Sequence, residues 1–411
     1  MALPTKQLLR CLVPLKLVVV TEGPNTEYSA IRTAIHRAFQ GGQYSADSAE
    51  AYFAAGEDLG VSVLEADFSK GAVAARQIVV DARSSALHTF VIAVIHELPT
   101  KEFGAWLAEI DCAAQPDDED DNEGEQEEKD KDAASGPVSL LPIVLKEGAW
   151  QGATECLDYL TLDEYALRPA SAAAYALAWS WKILGSDEDK LSLFISHAKL
   201  DGLPLANSFR YQLQNLKGMQ VFYDALHIPP GSNWKTILRK GVERSVVVAL
   251  RTNVYEERAW CVQEMDWAED FGCPLVMVDA RTQLVRGREF LPIAGSPCVH
   301  VPDGNLVRVL QSALREALRV RLFAGQVQAL EDCGAISALS TLKAPRTSLA
   351  TLGLRCESLA RSGKAVTHVF VPEKFRETHR RVAERLVKCY FPGAWLGTPQ
   401  MLVNEIVAAT P

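Results

Sequence analysis

The segment YEERAWCVQEMDWAED, residues 255–270, places two side chains where they could do chemistry together. Trp260 and Glu264 are four residues apart in a helix-like pattern, so both lie on one helix face, one turn apart. A fixed carboxylate can stabilise positive charge that develops in a reaction, and an indole can line the same pocket. The same pair can also be ordinary packing at the rim of a core. The neighbouring elements must decide between the two interpretations.

Composition favours a globular protein with more than one domain. The 411 residues are 48% hydrophobic and 23% charged, enough for roughly two or three domains with cores of their own. The formal net charge of −10 disfavours nucleic acid or an anionic membrane as the main partner. No run approaches the roughly 18 apolar residues that a membrane-spanning helix needs.

The cysteines and the N-terminal segment favour a cytoplasmic protein. The nine cysteines contain no CxxC pair and their number is odd, so we expect neither a zinc site nor a disulfide framework. Pro14 and Lys16 interrupt the apolar N-terminal run, and no small-residue cleavage site follows it. This run is therefore interpreted as a buried strand and not as a signal peptide.

Residues 1–150 are predicted to form an N-terminal α/β domain. Short apolar runs rich in β-branched residues alternate with helical patterns, which is typical of a parallel sheet. The predicted strands are 15–20, 61–66, 89–95 and 139–145. The acidic stretch 115–136 has almost nothing to bury and is predicted to be a disordered surface loop. Residues 151–187 are Ala-rich toward their end and are predicted to form a helical connector.

A second α/β series spans residues 188–320 and has the length of one doubly wound domain. Its predicted strands are 191–197, 219–224, 245–250, 273–279 and 298–301. Its predicted helices are 203–216, 234–243, 256–270 and 304–320. Residues 321–411 are predicted to form a small α/β or mostly helical C-terminal region with a regulatory or assembly role.

Three stretches follow one another in the order of a known family: LFISHAKLDG at 193–202, GMQVFYDALHIPPGSNWKTILRKGVERS at 218–245 and VVVALRTNVYEERAWCVQEMDWA at 246–268. Their motifs and spacing resemble the TIR (Toll/interleukin-1 receptor) domain of bacterial type across about residues 188–320. The resemblance implies a flavodoxin-like fold with a parallel five-stranded sheet and a BB loop at 225–233. Arg251 and Thr252 stand where the family commonly has a serine.

The resemblance implies NAD+ glycohydrolase activity, with Glu264 as the catalytic residue that promotes cleavage of the nicotinamide–ribose bond. Nicotinamide leaves as a neutral group from a cationic pyridinium, so one carboxylate suffices where ordinary glycosidases use two. We expect Trp260 to line the pocket and cover the cationic ring, and Glu264 to be at least partly exposed. NAD+ is then a substrate, and neither a cofactor nor a metal is predicted.

Four further residues are candidates for binding NAD+, and each also has a structural interpretation. Ser196 and His197 end the first strand of the second series, where ligands bind in open α/β sheets. Ser196 could instead cap a turn, and His197 could face solvent. Asp224 could contact the ligand or form an Asx turn, and Trp234 could contact the ligand or anchor the loop before it. Since neither GxGxxG nor a P-loop motif occurs, strand ends and the BB loop would hold NAD+.

The resemblance also implies that activity depends on self-association, in which the BB loop of one TIR domain helps to organise the site of its neighbour. We therefore expect an assembly-activated effector of bacterial anti-phage immunity whose flanking domains sense a signal or a partner protein. Two alternatives remain open. One is a non-catalytic TIR scaffold that mediates TIR–TIR interactions, which would have no need for Glu264 with Trp260. The other is an ADP-ribosyl cyclase that makes a signalling nucleotide with the same residues.

The N-terminal series repeats part of the rhythm of the second series, so it is either a degenerate TIR-like copy or an unrelated α/β domain. Both series run helix, serine, apolar strand, loop, Ala-Trp and a glutamate. Trp106 and Glu109 are only three residues apart, which breaks the WxxxE spacing. We therefore expect this domain to be non-catalytic.

Overall fold

The computed structural model describes most of the chain, and the structural statements below concern the residues that it describes. These are residues 4–23, 26–41, 58–112, 136–145, 168–185, 191–214, 219–222, 233–282, 296–301, 306–345, 349–372 and 377–409. The acidic stretch predicted to be a disordered loop lies almost wholly outside them.

Two compact units make up the chain. The first is Val13–Leu184, and the second combines Met1–Leu12 with Gly185–Pro411. The first helix of the chain, α1 (Thr5–Cys11), therefore belongs to a different unit from the strand that follows it.

The N-terminal unit is built on a four-stranded parallel sheet in the order β2-β1-β3-β4. Its strands are β1 (Leu15–Thr21), β2 (Ser62–Asp67), β3 (His88–Ile95) and β4 (Val138–Val144). Its helices are α2 (Thr26–Gln40), α3 (Ala72–Ser85), α4 (Lys101–Cys112) and α5 (Arg168–Ile183). Helix α5 falls in the segment that the sequence assigned to a connector, yet it packs on α2 inside this unit because its alanines are buried.

The second unit contains a five-stranded parallel sheet in the order β6-β5-β7-β8-β9, which is the flavodoxin-like strand order. Its strands are β5 (Leu191–His197), β6 (Met219–Phe222), β7 (Val246–Arg251), β8 (Leu275–Asp279) and β9 (Cys298–His300). The accompanying helices are α6 (Leu203–Gln214), α7 (Trp234–Glu243), α8 (Ala259–Phe271) and α9 (Leu306–Asp332). The predicted fold class, with a parallel five-stranded sheet between other α/β regions, is confirmed.

Residues 333–409 of the second unit form a small α/β region, which we call the C-terminal module. Its three parallel strands lie in the order β10-β11-β12. They are β10 (Thr341–Lys343), β11 (His368–Phe370) and β12 (Trp395–Gly397). The helices of the module are α10 (Leu349–Arg361), α11 (Glu377–Tyr390) and α12 (Pro399–Ala409).

Helix α9 joins the five-stranded sheet to the C-terminal module without a break. Its first part packs on β7, β8 and β9, and its second part buries Phe323, Val327 and Leu330 in the core of the module. The helix is 27 residues long, whereas the sequence pattern predicted an end at residue 320. The predicted domain boundary after residue 320 falls inside this helix. One continuous apolar face of α9 packs first in the core of the five-stranded sheet and then in the core of the C-terminal module.

Helix α1 packs against the second part of α9. Leu8 and Cys11 are buried in the same cluster as Val327, and Gln326 Nε2 donates a hydrogen bond of 2.9 Å to the Leu12 carbonyl oxygen. Only the strand after α1 was predicted, since a helix of seven residues shows too little periodicity.

Replacing Leu330 with alanine should destabilise the second unit. The side chain is fully buried among residues of α1, α9 and the C-terminal module, and such a change costs about 2–5 kcal/mol. Urea unfolding would measure the loss. Gln328→Ala on the same helix is the matched control, and its midpoint should shift far less, because Gln328 is exposed and makes only exposed hydrogen bonds with Asp332 and Lys343. Equal midpoints for the two variants would contradict the burial of Leu330 in this core.

Candidate active site

Strand β5 ends where ligands bind in open α/β folds. The strand order reverses at β5, because its neighbours β6 and β7 follow it on opposite sides. Ser196 and His197 are the last two residues of β5, and Ser196 pairs in register with Ala249 of β7. Ser196 is buried, so its hydroxyl needs a partner inside the protein.

Helix α8 provides that partner. Cys261, Glu264, Met265 and Ala268 are buried at the i, i+3, i+4 and i+7 positions of one helix face, which packs against the sheet. Glu264 is only 8% exposed. The prediction that Glu264 would be at least partly exposed is wrong, because the residue shares its helix face with three core side chains.

A chain of hydroxyl groups holds the Glu264 carboxylate. Ser196 Oγ donates a hydrogen bond of 2.5 Å to Glu264 Oε2 and shares one of 2.6 Å with Tyr255 Oη. A serine hydroxyl has a single proton, so Tyr255 must be the donor to Ser196. Hydrogen bonds to an ionised acceptor are the strong ones, and linked bonds polarise one another. The site thus keeps a carboxylate inside the protein by means of hydroxyl donors.

Tyr255 is a member of the site that the sequence placed only in a loop. It is buried and begins the short helical turn Tyr255–Glu257 between β7 and α8. Burial, followed by the negative charge of Glu264, holds the pKa of Tyr255 well above its usual range. The hydroxyl therefore stays protonated and able to donate. A single tyrosine in a loop has no periodicity, so only the family order of the motifs could point to it.

Asp201 fixes the turn that leads into Tyr255. Its carboxylate accepts a hydrogen bond of 2.6 Å from Thr252 Oγ1 and one of 3.2 Å from the Val254 backbone N–H. Arg251 Nε donates a hydrogen bond of 2.5 Å to the Glu256 carboxylate. Arg251 and Thr252 depart from the family pattern, and both hold this loop in place.

Trp234 and Trp260 form an aromatic pair. Their ring centroids are 4.1 Å apart and the rings are inclined by 71°, an edge-to-face arrangement. The two residues are 42% and 43% exposed, so neither is a core residue. Asn233 caps α7 by accepting a hydrogen bond of 3.3 Å from the Thr236 N–H, which makes Trp234 the first residue of the helix. The pair offers apolar surface one helical turn from Glu264.

The structure describes His197 but not Asp224, the two other residues that were predicted to bind NAD+. His197 is buried, although a solvent-facing imidazole was the alternative to a binding role, and its Nδ1 lies 3.3 Å from the Ile195 carbonyl oxygen. Asp224 and BB-loop residues 225–232 lie outside the described residues. Ligand binding by His197 and Asp224 stays a prediction.

The N-terminal unit shares the strand order of the second sheet but arranges the corresponding helix differently. Its order β2-β1-β3-β4 matches that of β6-β5-β7-β8. Trp106 of α4 is buried beside Phe68 and Phe103. Glu109 is exposed, and its carboxylate lies 3.6 Å from the Arg76 guanidinium. The glutamate of α4 is thus a surface group, and the absence of catalysis in this unit stays a prediction.

The strand order and the glutamate at the carboxyl edge of the sheet define a flavodoxin-like α/β domain with a candidate site. Residues 193–292 match the family model of the TIR domain, so this chain contains a TIR domain, as its motifs predicted. No curated protein matches the chain. Among the described helices, none is both long and apolar enough to cross a membrane.

Two solved structures show a distant likeness. The C-terminal domain of glucosamine-fructose-6-phosphate aminotransferase from Francisella tularensis is 11% identical, with 78% of this chain and 87% of that chain covered and a TM-score of 0.20. A protein described as sugar binding, from Salmonella typhimurium LT2, is 10% identical, with 77% and 93% covered and a TM-score of 0.19. Scores this low carry no argument about fold or function.

Replacing Ser196 with alanine should destabilise the TIR domain, because buried Glu264 loses a donor. A change of this kind costs about 1–3 kcal/mol, and more for a charged group. Ser192→Ala is the matched control, since Ser192 lies four residues earlier on β5 and accepts a hydrogen bond of 3.0 Å from Ser245. Urea unfolding should show the larger loss for Ser196→Ala, and equal losses would count against the hydroxyl chain.

The free energy of unfolding of the domain should fall at alkaline pH, in part because of the buried Cys261 thiol. Burial, followed by the charge of Glu264, raises the pKa of the Cys261 thiol from 9.0 to about 12. Because the folded-state pKa is the higher one, the stability from this thiol is complete below pH 9.0 and is lost as the pH rises toward about 12. In Cys261→Ala the free energy of unfolding should therefore fall less steeply across this range. Denaturant titration at each pH checks this, and exposed Cys389→Ala should keep the wild-type slope.

Proposed function

We propose that this protein is an NAD+ glycohydrolase that cleaves the bond between nicotinamide and ribose, with Glu264 as its catalytic residue. The observation that carries the proposal is the Glu264 carboxylate, set at the carboxyl edge of the TIR sheet and held by the Ser196 hydroxyl at 2.5 Å. The match to the TIR family is compatible with an NAD+ hydrolase and with a scaffold, so the chemistry of this site has to discriminate between them.

The reaction requires one well-placed negative group. Nicotinamide leaves as a neutral molecule, so no acid has to protonate it. As the bond breaks, the positive charge of the pyridinium passes to the ribose. A fixed carboxylate stabilises that charge, and does so more strongly where water is excluded. Water then adds to the ribose carbon and loses a proton, which yields ADP-ribose.

Ser196 and Tyr255 orient the carboxylate before the substrate arrives. A ribose hydroxyl that enters the site can replace Ser196 as the donor to Glu264. Trp234 and Trp260 offer ring surface for the cationic nicotinamide, an interaction worth about 0.5–2 kcal/mol. His197 and Asp224 complete the proposed binding set.

The burial of Glu264 favours an enzyme that has to be activated. At 8% exposure the carboxylate is not open to a molecule as large as NAD+, so the surrounding loops must move before cleavage. Self-association through the TIR domain and the BB loop at 225–233 would supply this change, and a few kcal/mol of differential contact suffices. On the family resemblance alone, we propose that the protein is an assembly-activated effector of bacterial anti-phage immunity.

A non-catalytic TIR scaffold is the second candidate, and one observation favours it. A purely structural role would also explain a buried carboxylate that is bonded to Ser196 and, through it, to Tyr255. In that role Glu264 specifies how α8 packs on the sheet and takes no part in catalysis. An ADP-ribosyl cyclase differs from the glycohydrolase in the group that captures the ribosyl cation. The identity of the second product separates those two enzymes.

The decisive measurement is NAD+ consumption by the full chain at high concentration with a crowding agent, followed by chromatography of nicotinamide and the second product. Glu264→Gln keeps the size of the side chain and an acceptor for Ser196 but removes the charge. We expect it to lower cleavage by about 100-fold or more. Glu257→Gln is the matched control, because this exposed carboxylate lies just before α8, and it should keep the wild-type rate.

Equal nicotinamide release by the two glutamine variants would refute the assignment of Glu264. No release by any of the three chains, under conditions where assembly is verified by light scattering, would favour the scaffold. Release together with a cyclic product would assign the cyclase reaction to the same residue.

A further inference from the structure

Helix α8 carries a second buried glutamate that faces away from Glu264. Glu269 follows Glu264 by five residues, which turns it by about 140° around the helix axis. Glu269 is 4% exposed, and its Oε2 accepts a hydrogen bond from the hydroxyl of Thr351 on α10 of the C-terminal module. Thr351 is itself buried. A hydrogen bond between two buried side chains therefore joins the TIR domain to the C-terminal module.

Arg355, one turn after Thr351 on α10, binds the end of α8. Its guanidinium donates one hydrogen bond of 2.7 Å to the Phe271 carbonyl oxygen and another of 2.6 Å to the Lys343 carbonyl oxygen on β10. The Phe271 carbonyl is one of those that a helix leaves without an internal partner. Gly272 permits the close approach, since it has a φ of +64° and a Cβ there would lie 2.9 Å from the guanidinium.

We propose that the C-terminal module positions the catalytic helix, with Thr351 and Arg355 as positioning residues that act through α8 on Glu264. The inference rests on the proposed function. Helix α8 is a single rod of 13 residues, so a shift of its last turn along or around the axis displaces Glu264 as well. The bond of 2.5 Å from Ser196 to Glu264 tolerates little displacement, because hydrogen bonds weaken quickly with distance and angle.

The continuous helix α9 makes the module a firm support for α8. It packs on three strands of the TIR sheet and then enters the core of the module, so the two regions share one structural element. Thr351 and Arg355 therefore contact α8 from a module that α9 connects rigidly to the sheet. A signal that repacks the module would move α8 relative to Ser196.

Two substitutions in α10 test the positioning role. Thr351→Val removes the hydroxyl with little change of shape, and Arg355→Met removes the guanidinium but keeps an apolar side chain. Each should lower kcat for NAD+ cleavage by about tenfold to about a hundredfold with KM within about twofold, since a displacement on the order of 1 Å has such an effect. Thr351→Ser should restore the rate. Thr341→Val is the control, because this exposed hydroxyl of the module bonds to the Ser337 carbonyl oxygen at 2.7 Å and should be dispensable.

Amide hydrogen exchange gives a readout that is independent of cleavage. In Thr351→Val and Arg355→Met, exchange in α8 should be faster while β5 keeps its protection. Wild-type kcat in both variants would overturn the positioning role, and so would equal losses in Thr341→Val or no rescue by Thr351→Ser. If the assembled wild-type chain does not cleave NAD+ but α8 still responds in exchange, the proposed function fails and the support of α8 by the module stands.

Discussion

The burial of the Glu264 carboxylate is the constraint around which the TIR domain is arranged. A charge taken out of water has to be hydrogen-bonded, or the group becomes neutral instead. Ser196 meets this requirement from the end of β5, and Tyr255 supports Ser196 from the turn after β7. The Asp201 carboxylate fixes the turn before Tyr255 by accepting hydrogen bonds from Thr252 and Val254. Elements far apart in sequence thus converge at one edge of the sheet to satisfy a single anion.

Helix α8 is the element that these requirements share. Its inner face belongs to the core of the sheet, while its last turn is bonded to α10. The carbonyl end of a helix carries partial negative charge, so the Arg355 guanidinium complements it electrostatically as well as by hydrogen bonding. The middle and the end of the helix therefore have different surroundings. The region around Glu264 faces the candidate site, and the end at Phe271 faces the C-terminal module.

Most of the fold could be predicted from the sequence, because the strands of the two larger sheets are buried runs of β-branched residues. Strand β5 and helix α7 have the predicted bounds, whereas β10 and β12 are three residues each and have no periodic signal. The residues after 320 were expected to be helical, but their continuity with the first part of α9 was missed because one apolar face packs in two cores in succession. The burial of Glu264 could not be predicted, since a helical glutamate is ordinarily solvated and its partner Ser196 lies 68 residues away in the chain. Likewise, no local pattern distinguishes an exposed Trp260 from a buried one.

The place of α1 makes the N-terminal unit an insertion into its host. The chain leaves the second unit after Leu12 and returns to it at Gly185, so both ends of the insert are tethered to one body. Joining two points of a chain by a long flexible loop costs entropy, whereas a folded insert that holds its own ends at the required separation removes most of that cost. Folding of the insert therefore shortens the effective loop between α1 and the rest of the second unit, which lowers the entropy lost when α1 docks on α9. The covalent chain thereby couples the stability of one unit to that of the other.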